Sequence, residues 1–177
     1  MPEHPALGLG RSKTILRPHD PRWAAAFETE AATLRSVLVN RPVEVEHIGS
    51  TAVPGLSAKP ILDIAVGYHD ASGHAEIQAA LEAVEYVFHG DQGEEGGLFF
   101  VKGPDSCRTH HLHVVAAGSS QWRNYLAFRD KLRSSKTLRT AYAELKENLT
   151  AQFPEDRVSY QDAKSPFIED ALRGSNG

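Results

Sequence analysis

Three stretches of the chain carry side chains whose types and spacing allow chemistry: "EVEHIGSTAVPGLSAKPILDIAV" (44–66), "RTHHLHV" (108–114) and "SQWRNYLAFRDKLR" (120–133). In the first, Asp63 interrupts an otherwise apolar run, and alternation along a strand puts it on the same face as Ile61 and Ala65. An ionised carboxylate among apolar neighbours must be paired, hydrogen-bonded or metal-bound, because burying it alone is costly. A structural salt bridge and a functional role are equally compatible with that. Gly49, Ser50 and Thr51 follow the preceding strand directly, where backbone N–H groups and two hydroxyls could hold an anion, or simply close an ordinary turn. Lys59, ahead of Pro60, is placed to act as a counter-charge to phosphate or to remain a solvated surface lysine. His47, on the strand before the loop, is a candidate base.

In the second stretch His111 and His113 are two apart, so on a strand they point the same way, where they could ligate a metal, flank an anion or sit solvated. Arg108, just before them, is a further candidate for holding a phosphate. In the third, Arg129 falls inside the apolar stripe of a helix defined by Trp122, Tyr125, Leu126 and Leu132. An inward guanidinium needs an acidic partner, and Asp63 or a bound phosphate could serve, as could a purely structural ion pair. Lys146 borders the stripe of the next helix and reads as a snorkelling lysine; Tyr160 and Lys164 read mainly as packing of the last helix.

The elements that must position these residues follow from periodicity. A helix is expected from Asp20 as N-cap to about Leu38, with Pro21 at its first position and Asn40-Arg41-Pro42 ending it. Strands are expected at "VEVEHI", at the doubly covered "ILDIAVGY", at "LFFVKG" and at "THHLHVVAA". A second helix is expected over "ASGHAEIQAALEAVEY", a turn over "HGDQGEEGG", and helices over 119–134, 137–153 and 158–173. Residues 1–13 are expected to form a flexible arm and 14–173 a single domain. The order α-β-β-α-β-β-α-α-α predicts an α+β (α/β layered) fold, a small mixed sheet with helices packed on it and a helical C-terminal part.

Bulk composition narrows the function. The 177 residues carry a formal charge of −4, so no global basic field attracts nucleic acid. A single cysteine excludes a disulfide framework and a Cys-based zinc site and points to a reducing, cytoplasmic compartment. No apolar run is long enough to span a bilayer, which needs roughly 18 residues, and the N-terminus lacks the apolar segment of a signal peptide.

The motifs "HIGSTAVPGLSAKPILDIAV", "THHLHVV", "LAFRDKLR" and "YAELK", in that order, resemble the GrpB family, with "RPHDPRWAAAFETEAATLR" extending the likeness over about residues 14–172. The resemblance implies the nucleotidyltransferase fold of the DNA polymerase beta superfamily, with Gly49-Ser50 and Asp63 matching its Gly-Ser loop and first strand carboxylate. Active members of that superfamily carry a second carboxylate two residues on and a third on a neighbouring strand, together holding two divalent ions. Here the second position is Ala65, and neither "LFFVKG" nor "HHLHVV" holds an acid. The resemblance therefore implies a nucleotide or phosphorylated small-molecule ligand and a divalent metal (magnesium, manganese, zinc or nickel) on Asp63, His111 and His113. Nucleotidyl or phosphoryl transfer, a non-catalytic binding module, and a His/Asp metal enzyme acting on an unphosphorylated substrate all stay open.

Overall fold

The computed structural model describes residues 7–91 and 97–174. The first part of the expected arm (1–6) and the middle of the expected turn (92–96) lie outside them. Helix α1 (Arg22–Val37) leads into strand β1 (Val43–Ile48), a short 3₁₀ turn at Ser50–Ala52 and strand β2 (Leu62–Tyr68). Helix α2 (His74–Glu82), strands β3 (Tyr86–Asp91), β4 (Leu98–Lys102) and β5 (His110–Ala116), and helices α3 (Ser120–Ser134), α4 (Lys136–Gln152) and α5 (Arg157–Arg173) follow.

The strands form one mixed sheet of order β1-β2-β5-β4-β3, in which only β2 and β5 run parallel. That pair is central and flanked on both sides, which explains why β2 is apolar almost throughout. One sheet face carries Val45, Leu62, Ile64, Val66, Leu112 and Val114 and packs on α1 and α2. The other carries Asp63, Ala65, His111, His113 and Val115; Ala65 and Val115 pack with Ile48 under Trp122 of α3. A third apolar cluster joins Val53 and Leu56 of the β1–β2 loop to Leu132 of α3 and Tyr142 of α4. It holds that loop against the C-terminal helices, and the cleft described below lies between them.

Three sequence expectations need correction. The second helix ends at Glu82 rather than running to Tyr86, and Tyr86–Asp91 is a strand that takes in His89–Asp91 of the expected turn. Glu85 takes a positive φ of 72°, which breaks the helix. Tyr86 and Phe88 then face inward while Val87 stays 57% exposed, the period of an edge strand. At α1 Pro21 is the N-cap and Arg22 the first helical residue, one position later than expected; the Asp20 carboxylate accepts from the Arg22 N–H at 2.9 Å and fastens the helix start. Residues 8–11 are held by backbone hydrogen bonds to Pro60, Arg108 and Asp105.

Candidate functional site

Asp63 and His111 sit directly opposite each other on β2 and β5, and their side chains meet at 3.2 Å between Asp63 Oδ1 and His111 Nδ1. The other ring nitrogen, Nε2, lies 3.4 Å from Arg157 Nη2. A guanidinium only donates, so Nε2 accepts and the ring proton sits on Nδ1, donated to Asp63. Burial raises the Asp63 pKa, but the His111 hydrogen bond and the charges of His111, His113 and Lys59 outweigh it and hold the carboxyl well below its ordinary range. The imidazole of His111 is itself pushed down, by burial first. His113 is pushed by burial to about 4 and is therefore neutral; its Nδ1 lies 3.3 Å from the Tyr125 hydroxyl, which in turn accepts from Gln121 at 2.7 Å.

Gly49 presses its backbone on the same carboxylate. Its φ of 71° and ψ of −173° lie in a region that essentially only glycine adopts, and a Cβ there would stand 2.7 Å from Asp63 Oδ2. The loop hydroxyls are already engaged. Ser50 Oγ accepts from Lys146 Nζ at 3.0 Å, and Thr51 Oγ1 shares a 2.9 Å hydrogen bond with His47 Nε2. The 3₁₀ turn is a single turn, too short to present a helix terminus to an anion.

Three lysines stand in the remaining wall. Lys59 Nζ is shielded from solvent, has no hydrogen-bond partner among the described residues, and rests 4.8 Å from the centroid of the Tyr160 ring. Lys164 lies 4.9 Å from the same ring. Burial, with the neighbouring charges of Lys164 and Arg157, holds Lys59 well below the usual lysine value. Lys164 is pushed by burial to about 8 and Lys146 to about 7. Besides Ser50, Lys146 donates to the Ser57 carbonyl, and it is only 2% exposed. It is a buried inward cation, not the snorkelling residue that its helix position implied.

These groups enclose a cavity of about 440 Å³, lined on its polar side by Gly49, Ser50, Lys59, Asp63, His111 and Lys164, and elsewhere by Phe128, Tyr142, Ile168 and Leu172. A second, more open groove of about 980 Å³ meets it at Asp63, His111, His113, Arg157 and Gln161. Of the residues singled out by sequence, Asp63, His111, His113, Gly49, Ser50, Thr51 and Lys59 line the first cavity. Thr51 spends its hydroxyl on His47, as described. Arg108 lines the second groove, but its guanidinium is bound to Asp105 at 2.6 Å.

His47 and Arg129 line neither cavity. His47 pairs with Ile64, so it faces α1, stacked on Phe27 at 4.6 Å, on the sheet face opposite Asp63. Arg129 does point inward, but its partners are Glu46 at 2.6 Å, the His47 carbonyl at 3.1 Å and Asp130 at 2.8 Å, so it ties α3 to β1. Lys146, Tyr160 and Lys164, expected to pack or snorkel, line the first cavity together with Arg157. Lys146 and Lys164 each stand four residues from a tyrosine on one helix face, a signal that was available.

The donor set does not fit a divalent-metal centre. Among the described residues no three His, Cys, Asp or Glu side chains converge as ligands. Ala65, where a second carboxylate would stand, is fully buried against Ile48 and Trp122, and the neighbouring Glu46 is taken by Arg129. Unit charges about 4 Å apart interact by about 4 kcal/mol at an effective dielectric of about 20, so ammonium groups around one carboxylate oppose a dication strongly.

Comparison with known proteins gives the following. A family model described as GrpB protein matches residues 13–173. A UPF0157 protein of Halalkalibacterium halodurans is 38% identical over 165 residues, spanning 93% of this chain and 83% of that protein. The chain spans smaller shares, 63% and 44%, of similar proteins from Pseudomonas aeruginosa and Bacillus subtilis. The crystal structure of the conserved protein GrpB from Enterococcus faecalis superposes with a TM-score of 0.82 at 35% identity, covering 90% of this chain and 96% of that one. Cid1 in complex with a UTP analogue superposes with a TM-score of 0.54 at 14% identity, over 82% of this chain and 48% of that one, a likeness of fold alone.

Proposed function

The chain belongs to the GrpB protein family and has a nucleotidyltransferase-like fold, and from that premise we propose that its cleft binds a phosphorylated small molecule, with nucleotides as the first candidates. The observation that carries this reading is Lys59, whose buried ammonium has no hydrogen-bond partner among the described residues and lines the cavity. Holding that group charged is costly unless something anionic completes it. Lys164, Lys146 and Arg157 line the same cavity, while its apolar wall of Phe128, Tyr142, Ile168 and Leu172 suits the flat or apolar body of such a ligand. In Cid1, a protein of the same fold, the bound group is a UTP analogue. The arrangement supports binding; it does not support a two-metal transfer step, since among the described residues no further carboxylate joins Asp63 in a ligand set.

A thermal-shift panel tests the proposal. Nucleoside mono-, di- and triphosphates, pyrophosphate and phosphorylated sugars are compared with the corresponding unphosphorylated nucleosides and sugars. A ligand at about a hundred times its Kd stabilises the fold by about 2.7 kcal/mol, which for a chain of this size is a rise of roughly 5–10 °C. At least one phosphorylated class is expected to give such a rise while its unphosphorylated counterpart does not. A panel in which no phosphorylated compound shifts the melting temperature overturns the reading.

A further inference from the structure

Superposition on a nucleotidyltransferase fold raises the question of what neutralises the ligand's charge where the metal-binding carboxylates are missing. The cavity wall answers with side chains of its own. Lys59 and Lys164 lie against the Tyr160 ring, at 4.8 and 4.9 Å from its centroid, and Lys146 lies 4.9 Å from the centroid of the Tyr142 ring. Arg157 adds a fourth cation beside His111. Among the described residues two acids line the same cavity: Asp63, which accepts from His111, and Glu169, which pairs with Arg173 at 3.4 Å. With Glu169 balanced by Arg173 and Asp63 set against one of the cations, three positive charges remain when all four are protonated. That exceeds what a single phosphate dianion carries and suits a di- or triphosphate.

Resting on the reading that the ligand is phosphorylated, we propose that the cleft takes a di- or triphosphate free of divalent metal, Lys59, Lys146 and Lys164 supplying the charge that a metal ion supplies in two-metal enzymes. Aromatic rings hold the ammonium groups in place without spending their charge, since a ring face attracts a cation but does not neutralise it. Magnesium bound to the phosphate chain lowers the ligand's negative charge and brings a dication towards the lysines, so it competes with the protein for the same oxygens.

Calorimetric titration of ATP and of inorganic tripolyphosphate into the full chain, once in EDTA and once in excess magnesium chloride, tests this. Both probes are expected to bind in EDTA at least about threefold more tightly than in magnesium, the direction set by the charge of the free ligand. Binding that appears only in magnesium, or is tightened by it, overturns the metal-free assignment and leaves the phosphate-ligand reading standing. Absence of binding by ATP and tripolyphosphate in both buffers overturns the metal-free assignment too; only a whole phosphorylated panel that fails removes the reading beneath it. A Lys164→Met variant adds a second readout: affinity for both probes in EDTA is expected to fall at least about tenfold, the scale of one charge-assisted hydrogen bond. An unchanged affinity in that variant, with its melting curve intact, counts against the assignment. The comparison of buffers on the unaltered protein needs no variant to fold.

Discussion

At the scale of single residues, Asp63 is defined by what surrounds it. A histidine proton, a glycine backbone and a lysine wall all converge on one carboxylate that keeps 33% of its side chain exposed to the cleft. Its oddity was legible in the sequence, because an acid inside an apolar strand always needs a reason. Its partner was only half legible: His111 was a candidate, but the sequence could not tell that Arg129 would choose Glu46 instead. Gly49 gives the clearest residue-level prediction. Ala there would hold a glycine-only backbone conformation and push its Cβ against Asp63, at an expected cost of about 2–4 kcal/mol. The Gly49→Ala protein should melt roughly 5–10 °C lower, on the usual scaling for a chain of this length. A melting temperature within a degree of the parent would mean that the loop does not press on the carboxylate as described.

At the scale of elements, the register of β1 on β2 decides who belongs to the site. His47 pairs with Ile64 and Ile48 with Asp63, so His47 turns to α1 while Asp63 turns to α3 and α5. Alternation placed both residues on strands, but a shift of one residue in pairing exchanges the two faces, and nothing local in the sequence fixes that register. The helices were easier, since long apolar periods set α3, α4 and α5 to within a residue or so of their observed bounds. Strand β3 was lost because one edge strand, half exposed, directly follows a helix-like run. Arg129 offers a test at this scale. Arg129→Gln breaks the tie between α3 and β1 but touches neither cavity. With Glu46 38% exposed, the loss should be only about 1 kcal/mol. Affinity for ATP should stay within about twofold, a shift below about 0.4 kcal/mol. A tenfold loss of affinity at intact stability would return Arg129 to the site.

At the scale of the whole molecule, the cleft couples ligand binding to protonation and hence to stability. Lys146 at about 7 and Lys164 at about 8 lie below the ordinary lysine value of 10.5 in the folded chain. Between those values the unfolded chain binds more protons than the folded one, so the stability contributed by these groups rises with pH from about 7 towards 10. Burial sets both shifts; Lys164 pushes Lys146 further down, Arg157 does the same to Lys164, and Asp63, which faces the same space, opposes both. An anionic ligand reverses the preference, because it favours the charged amines. The gain in melting temperature from tripolyphosphate should therefore be larger at about pH 6.5 than at about pH 9. A gain that is flat or grows with pH would show that the lysines do not recharge on binding. Overall charge was a poor guide because a chain of net −4 still sets four of its 19 lysines and arginines around one cleft.

Lys59 is the cation on which an anion site in this cleft depends most, and calorimetric titration of ATP into the parent protein and into Lys59→Met tests that dependence most directly. Removing this unpaired buried amine should leave the free protein as stable as before or slightly more so, while affinity for ATP falls about 10- to 100-fold, the scale of a charge-assisted hydrogen bond to phosphate. Affinity in Lys59→Met within about twofold of the parent, with the fold intact, would contradict the assignment of this cleft as an anion site.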